Sequence, residues 1–424
     1  NTEIGIRLSN DMALGETDFE LMGMSGNNVK ILLDGIPLID RGATKQSLSQ
    51  LDVNSIERVE IVEGPMSVVY GTDALAGVIN IITKKGDGYS EENTWRVGAR
   101  VQEESMGKEY DFFKDKGLHN ESIDLGFNHK SGLFVNGGYT RNNHGGWQGD
   151  LTGREKRWHP KDQALMNGMF GFQNRNMNVW YRLDFLDEKI FGPNNGSELQ
   201  PEKVSDKDFL TKRYTHQLQS DWKLDNRLDV HAALSYQDYK RRTRTTESDL
   251  STGEKWLSSA EASQDITQYK AWIARATVAW NIAPEFSVQP GVEYQWTQGE
   301  GGRIDGTPKV SDLAFFLSAE YKPWEWLSLR PGVRTFIVAD YDAPIAIPSV
   351  LTKFKLTKHM DLRLSYAYGF RSPTLQELYF SFHNDNHDID GNPDLKAEYS
   401  HNITGSVAYR VLHSEKIHLT TTLS

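Results

Sequence analysis

Alternation with a period of two, sustained over stretches too long for an ordinary soluble strand, constrains this chain more than any other feature. In "WRVGARVQ", Trp95, Val97, Ala99 and Val101 share one face, and Arg96, Gly98, Arg100 and Gln102 share the other. "FSVQPGVEYQW" sets Phe286, Val288, Pro290, Val292, Tyr294 and Trp296 against Ser287, Gln289, Gly291, Glu293, Gln295 and Thr297. "DLRLSYAYGFR" sets Leu362, Leu364, Tyr366, Tyr368 and Phe370 against Asp361, Arg363, Ser365, Ala367, Gly369 and Arg371. Successive strand side chains point to opposite faces, so each segment reads as a two-sided strand. Soluble strands typically run ~5–6 residues, whereas strands that cross a bilayer need ~9–11 or more. Length therefore favours a transmembrane β-barrel. A helical membrane protein is excluded, because no run approaches the ~20 apolar residues a membrane helix needs.

Roughly fifteen such strands follow one another from about residue 92. Short turns ("HKSG", "NRNM", "LDNR", "APE", "KPWE", "TKHM", "HSEK") alternate with longer polar connections near 105–118, 145–163, 190–208, 241–262, 298–308 and 371–396. Short turns on one rim and long loops on the other are the anatomy of an outer-membrane barrel. Trp222, Trp280, Trp296, Trp324 and Trp326 are expected near strand ends, where aromatic girdles sit. An odd strand number cannot close a single-chain bacterial barrel, and "IHLTTTLS" stops inside a new strand, so the chain is expected to be truncated. It starts at Asn1 with neither Met nor secretory signal, so targeting information is expected to have been removed or never included.

Composition removes other classes. With 47 Lys+Arg against 58 Asp+Glu and a net charge of -11, no excess of cations exists to neutralise nucleic-acid phosphates. Cysteine is absent, which excludes disulfides, thiolate metal sites and cysteine nucleophiles. No P-loop, dinucleotide fingerprint, His-Glu-x-x-His or nucleophile elbow is present, so no enzyme is expected.

Residues 1–88 read differently, as a small mixed α/β domain of short buried-type strands, with the barrel assigned to 89–424. Asp34-Gly35 lies between two apolar triplets, the dipeptide that tight hairpins prefer. Pro65 opens "PMSVVYG", predicted as one helical turn stopped at Gly71. "NVKILLDGIPLI" followed by "SIERVEIVEGPMSVVYGTDALAGVINIITKK" resembles the plug domain of TonB-dependent outer-membrane receptors. "GFRSPTLQELY" (369–379) and "GNPDLKAE" (391–398) resemble the two barrel boxes of the same family.

The resemblance implies a plug folded inside a 22-stranded barrel in the outer membrane of a Gram-negative bacterium, opened by energy delivered through TonB and its inner-membrane complex. It implies import of a scarce nutrient: haem or another iron chelate first, then cobalamin, then a glycan or peptide passed on by a surface lipoprotein. A passive porin-like channel is the competing class, and the plug-like block argues against it. No resident cofactor is expected, haem or another metal chelate being the cargo. Family plugs are held to the wall by Arg–Glu pairs, so Arg58, Glu60 and Glu63 are expected at that contact, Glu63 standing where the family commonly has Arg and needing a cation such as Arg96, Arg100, Arg182 or Arg363. His383 and His387 lie between the two boxes, as a haem-binding histidine does in haem receptors, although Ser372 departs from that pattern. Imidazole is a sound axial ligand for haem iron. By the same analogy 40–46, with Arg41 and Thr44, forms an apical plug loop touching substrate. The cluster "YKRRTRTTE" (239–247) reads first as a solvated loop and second as a contact for anionic lipopolysaccharide or an anionic substrate.

Overall fold

The computed structural model describes residues 6–11, 16–21, 23–24, 26–39, 46–64, 66–85, 92–260, 263–301, 303–384, 387–413 and 418–423. The N-terminal block holds a hairpin of β1 (Ile6–Asp11) and β2 (Glu16–Leu21), then β3 (Val29–Leu33), β4 (Ile36–Pro37), β5 (Ile56–Glu63), the helical turn α1 (Ser67–Tyr70) and β6 (Gly77–Thr83). One sheet runs β4-β3-β6-β5, with β3 parallel to β6 and β5 antiparallel to it. Its core is Leu21, Val29, Ile31, Leu33, Leu38, Ala76, Ile79 and Ile81. Asp34 and Gly35 both take left-handed backbone, φ 51° and 82°, as a two-residue primed hairpin turn requires.

The wall comprises β7 (Thr94–Glu104), β8 (Leu118–Asn128), β9 (Leu133–His144), β10 (Lys161–Gln173), β11 (Met177–Gly192), β12 (Lys203–Lys223), β13 (Leu228–Asp249), β14 (Lys255–Leu257), β15 (Ile266–Ala283) and β16 (Phe286–Gly301). It continues through β17 (Lys309–Trp324), β18 (Leu327–Ala339), β19 (Ile347–Lys355) and β20 (Met360–Arg371). The helical turn α2 (Leu375–Tyr379) and a small hairpin of β21 (Ser381–Asn384) and β22 (His387–Asp390) come next, before β23 (Glu398–His413) and β24 (His418–Leu423). Together they make a 16-stranded sheet in chain order, except that β14 sits beside β13 and β20 pairs directly with β23.

The wall inverts the burial pattern of a water-soluble sheet. Gln163, Arg182, Glu188, Thr211, Gln217, Gln237 and Arg334 are buried, while Trp95 is 76% exposed, with Val97, Phe170, Leu218, Trp272 and Leu364 also open. Water rejects so large a continuous apolar surface, and lipid accepts it. Trp280 and Trp272 lie eight residues apart on β15, near the short-turn rim and in the outer half. At about 3.3 Å per residue and a tilt near 40°, that separation is about 20 Å of height, close to the ~25 Å apolar band of such walls.

Three expectations are corrected. Phe370 is fully buried, its ring 5.3 Å from that of Phe336, and its N–H donates to Ser67 Oγ. The end of β20 thus meets α1 of the N-terminal block instead of lipid. The polar stretches 190–208 and 241–262 are not loops throughout, since β11 reaches Gly192, β12 begins at Lys203 and β13 reaches Asp249. Pairing continues above the apolar band, where polar residues occupy both faces and the alternation of polarity that marks a strand fades. Trp296 consequently falls inside β16 and pairs across to Trp272 of β15.

Candidate functional site

The N-terminal block packs on the inward face of the wall through backbone groups held by inward glutamines. Gln217 and Gln219 donate to Leu33 O (3.3 Å) and Asp34 O (2.8 Å). Higher on the wall, Gln237 Nε2 donates to Pro37 O at 2.7 Å, and its Oε1 accepts from Ile39 N–H at 3.0 Å. One amide side chain thus satisfies a donor and an acceptor of a strand with no further sheet partner. Ile36 packs beside it against Ala233 and Ile273. Gln50 adds a polar junction, donating to Glu188 (2.9 Å) while its carbonyl accepts from Arg213 (2.9 Å).

Beneath α1 lies a buried ionic cluster. Glu293 binds Arg275 at 2.9 Å and Arg334 at 2.7 Å, and Lys30 Nζ donates to Thr72 O at 3.0 Å. Gly71 ends α1 with φ 77°, and a Cβ there would lie 3.1 Å from Arg334 Nη2 and 3.2 Å from Glu293 Oε1. Its glycine is needed twice, for the left-handed backbone and for the close approach.

Above Ile39 opens a cavity of about 340 Å³ on the long-loop side. Its lining includes Lys207, Phe209, Thr243, Thr245, Tyr269, Arg303, Ile304, Gln376 and Phe382. Ile39 packs with the cluster of Tyr239, Tyr269, Ile304 and Leu375, so the N-terminal block backs two of the lining residues, Tyr269 and Ile304. The Arg303 guanidinium lies 4.4 Å from the Phe382 ring centroid, and among the described residues its buried Nε has no hydrogen-bond partner. Lys207 and Arg303 stand against one lining carboxylate, Asp265, a formal excess of one positive charge that, with three aromatic rings and threonine hydroxyls, suits an anionic ligand with flat, polarisable groups.

The first box-like segment reaches this cavity through Gln376 and is tied to the second. Thr374 caps α2, whose N3 residue Glu377 closes a reciprocal capping box. Arg371 binds Glu377 (2.9 and 3.1 Å) and Glu398 (2.9 and 3.0 Å), tying the first segment to the second. Ser372, the position that departs from the haem-receptor pattern, meets Thr72: their hydroxyls lie 2.9 Å apart, and its N–H donates to Thr72 Oγ1 at 2.7 Å.

The residues singled out from sequence are dispersed. Arg41 and Thr44 lie outside the described residues. His383 lies on β21 next to Phe382 but is exposed; its Nδ1 meets Asp388 at 2.6 Å, and its Nε2 meets Asp390 at 3.0 Å and Ser381 at 3.1 Å. The carboxylates of Asp388 and Asp390 raise the imidazole pKa above its ordinary value. His387 lies opposite Asn384 in the hairpin. Arg58 pairs with Glu57 and Glu60 on an exposed face of β5, and Glu60 also accepts from Asn80, so the described contacts of both stay within the N-terminal block. Glu63 pairs with Gly77 across the sheet. Of the cations considered for it, Arg182 binds Asp184 and donates to Ser55, and Arg100 reaches Asn54. Period two alone places Gln217, Gln219 and Gln237 inward, so that signal was available. Nothing local marks Arg303 and Phe382, which meet only because two distant loops converge.

Two family models match the chain: the TonB-dependent receptor plug domain over residues 1–78 and the TonB-dependent receptor-like β-barrel over 68–423. The chain is 26% identical over 424 aligned residues to the iron-regulated outer membrane virulence protein of Vibrio cholerae, covering 93% of this chain and 57% of that one. A shorter match, 40% identical over 79 residues, is to the vitamin B12 transporter BtuB of Vibrio vulnificus, covering 19% of this chain and 13% of that one. In fold it is similar to a mutant of the ferric enterobactin receptor PfeA of Pseudomonas aeruginosa, with a TM-score of 0.70 at 16% identity, covering 99% of this chain and 66% of that one.

Proposed function

This chain belongs to the TonB-dependent receptor family of the outer membrane, and from that premise we propose that it serves the energised import of an anionic iron chelate of the siderophore class. The observation that carries the reading is the cavity above Ile39, where Lys207 and Arg303 stand among Phe209, Tyr269 and Phe382. A ferric chelate built from catecholate or carboxylate groups carries net negative charge on a rigid, flat-sided body. Arg303 offers it a charge-assisted donor, and the rings offer stacking faces. The Vibrio cholerae relative is named as iron-regulated, and PfeA as a ferric enterobactin receptor, which supports the same class. The chain spans 57% of that Vibrio cholerae relative's length.

In this mechanism the chelate enters from the long-loop side and rests on the plug hairpin near Ile39. TonB pulls on the plug from the other side, so the contacts of Gln217, Gln219 and Gln237 with plug backbone are the ones that must yield. The test uses the full-length receptor and intrinsic fluorescence quenching by a ferric catecholate, an uncharged ferric hydroxamate, haem and cyanocobalamin. The ferric catecholate is expected to bind most tightly, and Arg303→Gln to weaken it about tenfold, the loss of one charge-assisted contact. Unchanged binding in Arg303→Gln, or preference for cobalamin, would overturn the anionic-chelate reading. Tight haem binding lost in His383→Ala would replace it with the haem reading.

A further inference from the structure

The basic segment "YKRRTRTTE" is split by the pleat of β13. Arg241 is buried on the inward face, its guanidinium 4.6 Å from the Phe209 ring. Lys240 and Arg242 alternate with it and therefore share the outward face, above the aromatic row. Register places that row as Leu183, His216, Tyr236, Trp272 and Trp296 on five neighbouring strands, each directly opposite the next. Four residues further toward the long-loop rim, the register sets Lys212 directly against Lys240. Both lysines are exposed.

Two ammonium groups on facing positions of adjacent strands repel, their Cβ atoms being only about 4.5–5.5 Å apart. Nearby carboxylates do not remove the excess. Asp187 reaches Lys212 at 3.5 Å, Asp208 is bound by Lys189 at 3.2 Å and by Arg244, and Asp238 accepts from Gln268 at 2.7 Å. Lys240 and Arg242 have no ion-pair partner among the described residues. In a chain of net charge -11, this is a local cationic excess on a lipid-facing wall.

Its height says what neutralises it. The lysine pair lies four residues beyond the aromatic row, about 13 Å along the strand and about 10 Å along the membrane normal at the usual tilt. Aromatic girdles mark the interface, so the lysines stand at the depth of lipid headgroups. Polar outward positions on β13 continue from Asp238 through Arg244, six residues, about 20 Å of strand and about 15 Å of height, a thicker layer than one glycerophosphate headgroup occupies. We propose that this outward face, centred on Lys212 and Lys240, binds the phosphate groups of a phosphorylated glycolipid of the outer leaflet. The site lies on the opposite side of the wall from the cavity and is independent of the transport substrate.

The test compares the full-length receptor in detergent with its K212Q/K240Q variant by native mass spectrometry. The probes are bis-phosphorylated lipid A, the same lipid with its phosphates removed, and phosphatidylglycerol. Bis-phosphorylated lipid A is expected to bind the wild type at least tenfold more tightly than the variant, and the dephosphorylated lipid to bind both equally weakly. Replacing Lys130 and Lys358, exposed lysines on the short-turn rim, by Gln should leave binding unchanged. In lipid-free detergent K212Q/K240Q should melt no lower than wild type, because it relieves repulsion, and only wild type should gain melting temperature from the phosphorylated lipid. If the double variant fails to fold by its gel mobility before and after heating, R242Q is measured in its place, and K212R/K240R should retain binding. Equal affinity of wild type and variant for bis-phosphorylated lipid A would overturn the site. Equal binding of the dephosphorylated lipid or of phosphatidylglycerol to wild type would overturn the assigned ligand.

Discussion

Replacing Gln237 by Ala removes two hydrogen bonds and leaves two plug backbone groups without partners. Gln237 is 0% exposed, so water does not reach the vacated positions without rearrangement. Each lost bond is worth about 1 kcal/mol net, and an unsatisfied buried N–H or carbonyl costs about 1–3 kcal/mol. With part of that cost relieved by shift of the hairpin, the expected loss is about 2–4 kcal/mol of local plug docking. At 1.4 kcal/mol per factor of ten, opening of the hairpin should rise about 30- to 700-fold. Hydrogen exchange at the Ile39 amide measures that opening directly, because its N–H is the donor to Gln237 Oε1. Gln237→Glu is the sharper variant: the acceptor for Ile39 survives, but a carboxylate faces Pro37 O, formerly bound at 2.7 Å. It should lose at least as much protection as Gln237→Ala. Gln298→Ala, on the outward face of β16, should leave Ile39 unchanged. If Ile39 protection in Gln237→Ala stays within twofold of wild type, the amide does not hold the plug.

Leu364→Arg should destabilise folding in a bilayer by about 2–4 kcal/mol, whereas Ser365→Arg, on the inward face, should be tolerated far better; equal losses in a urea titration would contradict the register. Gly64 and Gly71 both have positive φ, 86° and 77°, but a Cβ meets nothing within 4 Å at Gly64 and meets Arg334 and Glu293 at Gly71. Gly64→Val should therefore show the backbone cost alone, about 1–3 kcal/mol, and Gly71→Val a clearly larger loss in the same titration; identical losses would mean the ionic cluster moves aside freely. The raised pKa of His383 means that the folded hairpin favours the imidazolium. Its stabilisation is then complete below the ordinary value of 6.5 and is lost as pH rises through the raised value. Asp388→Asn with Asp390→Asn should bring the ring titration, followed by NMR, back down, and an unchanged midpoint would contradict this account.

The period-two pattern by itself determined which face of each wall strand meets lipid, as the exposure of Trp95, Val97 and Leu364 and the burial of Glu293 bear out. Local chemistry also determined the Asp34-Gly35 turn and the stop at Gly71, because the required left-handed backbone is written in those residue types. Tertiary structure decided the rest. Phe370 has the parity of a lipid-facing residue, yet it packs against Val68, three hundred positions earlier, because the chain folds over the plug at the end of β20. Arg371 joins the two box-like segments, and Thr72 meets Ser372, through contacts no local pattern encodes. The facing of Lys212 and Lys240 depends on the register of β12 against β13, which is set by the turn and by a whole column of paired residues. Alternation is a local property of the chain, so it survives in the sequence. A site assembled from Arg303, Lys207 and Phe382 exists only once strands and loops distant in sequence have been brought together, and no short-range signal can carry it.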